Sequence, residues 1–114
     1  MATKAKKIEL LTVALDAKPG SLARVYGAFK EANISILASW GYEMGPGQAQ
    51  AHFYAADVNK TKDVLDKLSL KPKTEFACLV EGDDKIGCYL EVLHKVSKAN
   101  INIGATDALS LGGK

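Results

Sequence analysis

Residues 13–36 read VALDAKPGSLARVYGAFKEANISI, and residues 80–103 read VEGDDKIGCYLEVLHKVSKANINI. Set 67 positions apart, the two stretches align without a gap, with Val13 on Val80, Asp16 on Asp83, Lys18 on Lys85, Gly20 on Gly87, Val25 on Val92, Ala32 on Ala99, Asn33 on Asn100, Ile34 on Ile101 and Ile36 on Ile103. Extending the overlay to residues 8–46 and 75–113 adds Ala38 on Ala105 and Gly45 on Gly112, which makes eleven identities in 39 positions. Unrelated segments of this composition would share roughly two or three, so the chain is built on an internal repeat. The first copy is complete and the second is partial.

Working outward from the repeat, Ile8 to Leu15 is apolar on both alternating sets except at Glu9 and Thr12, which predicts a central strand. Ala17 to Gly20 breaks that pattern. Leu22, Val25, Tyr26 and Phe29 then recur at helical spacing, with Pro19 near the first turn where its missing N–H is harmless. The helix is expected to stop at Asn33, since asparagine tolerates the left-handed conformation that closes a helix, and Asn100 marks the equivalent stop. Ile34 to Glu43 and Gln48 to Ala56 read as two strands of a hairpin joined through Met44-Gly45-Pro46-Gly47. Asp57 or Asn59 can cap a short helix burying Val64, Leu65 and Leu68, and Leu70 to Val80 returns to strand, kinked at Pro72. The repeat then resumes with the Phe76 to Val80 strand, a helix carrying Tyr89, Val92, Leu93 and Val96, and a last strand from Ile101 to about Leu111. The expected class is α+β: a ferredoxin-like βαββαβ unit over 1–73 followed by a partial βαβ unit over 74–114, the two sharing the strand around 70–82.

With 114 residues, 47% hydrophobic and 25% charged, the chain has the composition of a soluble domain and enough length for one core. Its apolar stretches fall far short of the roughly 20 residues of a membrane span, and no apolar run follows the lysines of the Met1 to Lys7 leader, so a cytoplasmic protein is expected. The net charge of +2 resides mostly in Lys4, Lys6 and Lys7, expected to lie on a frayed terminus. No basic stripe is interleaved with aromatics; Lys60, Lys62 and Lys67 mix with Asp63 and Asp66 along one helix, which argues against nucleic acid as a partner. Cys78 and Cys88 lack a CxxC spacing and a companion histidine, so they are expected to be buried structural thiols and no metal is called for.

The chemistry concentrates in Asp16-Ala17-Lys18-Pro19-Gly20-Ser21-Leu22, a strand end, a tight turn and a helix start, followed after the helix by Ile34-Ser35-Ile36. Free N–H groups and the positive dipole end of a helix favour a carboxylate, and Gly20 lets a ligand approach the backbone. Asp16 on the same rim can accept an ammonium. Together they suit the two charged ends of a free amino acid. The same residues also make a plain βα turn in which Asp16 caps the helix.

At these residues the sequence resembles the ACT domain family, regulatory modules of enzymes such as aspartate kinase and phosphoglycerate dehydrogenase. The resemblance rests on the element pattern and on an aspartate, two residues, Pro-Gly, one residue and Leu, followed by a Gly-Ile-Asn-Ile type segment. The first unit has Asp16, Pro19-Gly20, Leu22 and Asn33-Ile34-Ser35-Ile36. The second has Asp83, Ile86-Gly87, Tyr89 and Asn100-Ile101-Asn102-Ile103. Unit one has Ser35 where the family often has a ligand-contacting asparagine, and unit two keeps Asn102 but lacks the turn proline. The resemblance implies amino-acid binding between paired units, the βα loop of one facing the second strand of its neighbour. The implied ligand-contacting residues are Asp16, Lys18, Pro19, Gly20, Ser21, Leu22, Ile34 and Ser35 in unit one, and Asp83, Lys85, Gly87, Cys88, Tyr89, Ile101 and Asn102 in unit two. It further implies a small stand-alone tandem protein that needs no cofactor, pairs with itself as a homodimer or larger, and acts on a partner enzyme or as a sensor.

Two other classes compete. An enzyme would need a nucleophile or acid–base pair, but His52 and His94 lie on different elements with no adjacent carboxylate, so both are expected to be surface or interface histidines. Trp40, Tyr42 and Met44 either floor an apolar pocket or form core and dimer surface. A protein-binding scaffold without a ligand is the third reading.

Overall fold

The computed structural model describes residues 3–114. Seven elements follow in order: β1 (Lys4–Asp16), α1 (Ser21–Glu31), β2 (Ile36–Gly45), β3 (Gln48–Ala55), α2 (Val58–Lys67), β4 (Lys73–Glu81) and α3 (Cys88–Lys98). The strands form one sheet in the order β2-β3-β1-β4, with β3 antiparallel to both β1 and β2. This is an α+β, ferredoxin-like fold of the ACT type.

The chain divides into two compact units, one of residues 7–78 and one of the described residues up to Lys6 together with 79–114. In the first, Leu11 and Val13 of β1 face Phe53 and Ala51 of β3, and Val25 and Phe29 of α1 with Leu65 of α2 cover that side of the sheet. Tyr26, Phe29 and Phe53 meet edge to face, with ring centroids 5.2–5.9 Å apart. Each large side chain removed from water here contributes about 1.5–3 kcal/mol. Because strand side chains alternate, Thr12, His52 and Trp40 lie on the other side of the same sheet, as cross-strand neighbours. Asp57 caps α2, its Oδ1 accepting from the Lys60 amide at 3.1 Å, and Thr61 is buried with its hydroxyl donating to the Asp57 carbonyl at 2.7 Å.

The second unit repeats the first at the level of individual backbone bonds. Gly20 and Gly87 both sit left-handed before their helices, at φ 88° and 86°. Asn33 and Asn100 close those helices at φ 57° and 60°, with Ile34 N–H donating to Phe29 O at 2.9 Å and Ile101 N–H to Val96 O at 3.2 Å. The apolar positions of α3 are only half-buried or exposed, and no residue of that helix is buried.

Several expectations need correction. Lys4, Lys6 and Lys7 lie within β1 rather than on an irregular terminus; all three are exposed, with Lys7 Nζ 4.3 Å from the centre of the Phe76 ring, and residues 1–2 of the leader lie outside the described residues. Leu70 to Pro72 is not strand. Ser69 and Lys71 hold φ of 61° and 50°, which takes the chain out of the sheet, and proline offers the ladder no donor, so β4 begins at Lys73. Ile101 to Leu111 forms no strand; it runs exposed and irregular, because within its unit no described strand stands beside it as β3 stands beside β2. Cys78 is exposed and Cys88 half-buried, so neither is a core thiol. His52 is buried rather than superficial.

Candidate functional site

The βα loop of the first unit is built by short backbone bonds. Lys18 N–H donates to Asp16 O at 2.9 Å, Ser21 N–H to Lys18 O at 3.3 Å, and Arg24 N–H to Gly20 O at 2.9 Å as the first bond of α1. Outside the loop, Ala17 N–H donates to Gly47 O at 3.1 Å, tying it to the β2–β3 turn. A Cβ at Gly20 would meet nothing within 4 Å, so the glycine is required by its positive φ, and the space above it is open. Asp16 does not cap the helix. Its carboxylate lies 3.9 Å from the Lys18 ammonium, with both side chains largely in solvent. An exposed pair of this length contributes little to stability, which leaves a carboxylate and an ammonium side by side at a helix N-terminus.

The second loop has the same backbone: Cys88 N–H donates to Lys85 O at 3.1 Å and Glu91 N–H to Gly87 O at 3.0 Å. Its side chains differ. Asp84, not Asp83, is engaged, accepting from the Ser110 hydroxyl, and Tyr89 is hydrogen-bonded to Thr106 at 2.7 Å. Lys85, Ile86, Cys88, Glu91 and Lys95 line a hollow of about 530 Å³ together with Thr3. Two lysines against one glutamate give that hollow a positive balance.

Not all predicted residues converge. Asp16 to Leu22 gather at the start of α1, whereas Ile34 and Ser35 follow its other end; eleven helical residues place them roughly 16 Å apart. Asp83 to Tyr89 and Ile101-Asn102 are split in the same way by α3. In each unit the two groups of expected residues therefore lie at opposite ends of a helix. A further hollow, of about 370 Å³, opens beside Ile34 and is lined by Tyr26, Phe29, Lys30, Asn33, Ile34 and Ile36.

The sequence reading missed a polar network on the sheet side away from α1 and α2. Thr12 Oγ1 lies 2.8 Å from His52 Nδ1, and Tyr42 OH lies 3.1 Å from His52 Nε2 and donates to Gln50 Oε1 at 3.1 Å. Trp40 stacks on the imidazole with centroids 5.3 Å apart. The available signal was the alternation Gln50, His52, Tyr54 on one strand opposite Trp40 and Tyr42 on the next. Among the described residues no group of acidic, histidine and cysteine side chains could hold a metal ion, and no helix is long and apolar enough to cross a membrane.

Comparison with solved structures turns on this fold. The ligand-free regulatory subunit of aspartate kinase from Thermus thermophilus superposes with a TM-score of 0.67 at 15% identity, covering 94% of this chain and 82% of that one. The chain has the fold of aspartate kinase regulatory subunits. The Thermus flavus regulatory subunit gives a TM-score of 0.59 at 19% identity over 93% of this chain and 80% of that one. A protein from Bacteroides thetaiotaomicron gives 0.77 at 18% identity over 96% and 75%. At these identities the likeness establishes the fold alone. No protein-family model matches the chain, and neither does any curated protein.

Proposed function

We propose that this chain is a non-enzymatic regulatory module that binds a free amino acid at its βα loops and acts in trans, on a partner enzyme or as a stand-alone sensor. The observation that carries the reading is the loop built twice: a left-handed glycine, open space above it, and a helix N-terminus. The ligand carboxylate would take the free amides of the helix start, and its ammonium would displace Lys18 from Asp16. In the second loop Lys85 and Lys95 would add attraction for the carboxylate. The separation of the two residue groups within each unit is the reason to propose pairing: Ile34-Ser35 or Ile101-Asn102 would complete a pocket with the βα loop of a second copy of the chain. A homodimer or larger assembly supplies such neighbours. The fold shared with proteins named as regulatory subunits supports the regulatory role.

A thermal-shift panel of the twenty amino acids at 10 mM tests this. A ligand with Kd near 0.1 mM is then at a hundredfold excess and stabilises the folded state by about 2.7 kcal/mol. A shift confined to one or a few amino acids is expected. A flat panel with intact partner capture would favour a ligand-free scaffold, and turnover without added partner would favour an enzyme.

A further inference from the structure

The polar network on the sheet has no part in the amino-acid site as proposed, yet its hydrogen bonds run toward it. Tyr42 donates its hydroxyl proton to Gln50, so its oxygen is free to accept from His52 Nε2–H, and the remaining ring nitrogen, Nδ1, accepts from the Thr12 hydroxyl. That assignment satisfies every group in the chain. It links β1, β3 and β2 through one buried imidazole, gripped on β2 by the Trp40 ring as well as by Tyr42. Tyr42 and Gln50 are directly paired near the end of the β2–β3 hairpin, just before the register shift between Glu43 and Gly45. Beyond that shift the turn offers Gly47 O to Ala17 N–H, the first amide of the βα loop. β2 is an edge strand with β3 as its one neighbour, so cross-strand side-chain bonds matter more for its position than they would in mid-sheet.

We infer that Tyr42 and His52 are positioning residues for the βα loop: the Thr12–His52–Tyr42–Gln50 chain fixes the hairpin end, and the Gly47 carbonyl passes that position to Ala17. The inference takes the loop as the functional site but is read without a ligand. The test is residue-resolved amide hydrogen exchange on the full chain, comparing wild type, Tyr42→Phe and Ser39→Ala. Ser39 lies on β2 and accepts from the Tyr26 hydroxyl, well away from the turn. In Tyr42→Phe the bonds to Gln50 and His52 are both lost, and Ala17 exchange is expected to speed by at least about fivefold, the effect of one net hydrogen bond, while Val13 and Phe53 in the core change by less. Ser39→Ala is expected to leave Ala17 unchanged. An unaltered Ala17 rate in Tyr42→Phe, or equal acceleration of Ala17 and the core amides, would overturn the proposal. A second variant, His52→Gln, breaks the chain at its centre and should reproduce the Ala17 effect; a normal rate there would overturn it equally. A flat amino-acid panel would sink the ligand reading and leave this result standing.

Discussion

At the scale of single residues, Gly20 and Gly87 show how one atom governs the loops. Both hold φ near 87°, a conformation that costs a residue with a Cβ about 1–2 kcal/mol, more when the side chain is β-branched. A Cβ at either position has open space around it, so the strain is purely backbone. Gly20→Val and Gly87→Val are expected to lower stability by that amount in chemical denaturation. They should weaken amino-acid binding by more than the stability loss accounts for, because the side chain also blocks approach to the amides. Calorimetric titration with whichever amino acid shifts the melting curve checks this, and unchanged affinity in both variants would remove the loops from the site. Leu65 gives the contrasting case: fully buried against the sheet, its truncation to alanine should cost about 2–5 kcal/mol with no specific effect on ligand.

At the scale of elements, sequence was legible where local chemistry and periodicity agreed. The glycine before α1, the asparagine after it and the cap of α2 each act through one or two nearby backbone groups; the first two stand where the sequence placed them, and of the two caps it offered, Asp57 and Asn59, the structure uses Asp57. Asp57→Ala should therefore destabilise by about 1 kcal/mol, read as a shift of the denaturation midpoint at constant slope. What was not legible depends on neighbours distant in sequence. Ile101 to Leu111 has strand-like composition, but a strand needs a partner, and the alternating pattern does not say whether one stands beside it. His52 was expected at a surface or interface because its partners, Thr12 at 40 positions' separation and Tyr42 across a hairpin, meet it only after the register is set. The loop residues of the candidate site were legible as a motif. Their separation from Ile34-Ser35 by the intervening helix was legible too; the element bounds add its length, roughly 16 Å.

At the scale of the molecule, the two copies of the repeat differ in what they bury. Residues 7–78 contain the core cluster, whereas no residue of 79–114 is buried, although Val92, Leu93, Val96, Ile101, Ile103, Leu109 and Leu111 carry the apolar side chains of a second core. Apolar groups left half-buried or exposed along one segment are the kind that an interaction surface uses. The same segment holds Ile101-Asn102, which under the proposed function meets a βα loop supplied by a second copy of the chain. Both observations are met if two copies of the chain associate through residues 75–111, closed by two-fold symmetry as most homo-oligomers are. Sedimentation at micromolar concentration should then show a dimer or larger species, and Leu93→Glu or Ile103→Glu should return it to monomer while leaving amide-exchange protection of the core residues Leu11, Val13 and Phe53 largely intact. If an amino acid biases that association, its differential affinity for the two states is worth about 1–3 kcal/mol, a 5- to 150-fold change in the dimerisation constant. Repeating the sedimentation series with and without the stabilising amino acid measures that change. A monomer with full amino-acid affinity would show that one copy completes its own site and would end the case for pairing.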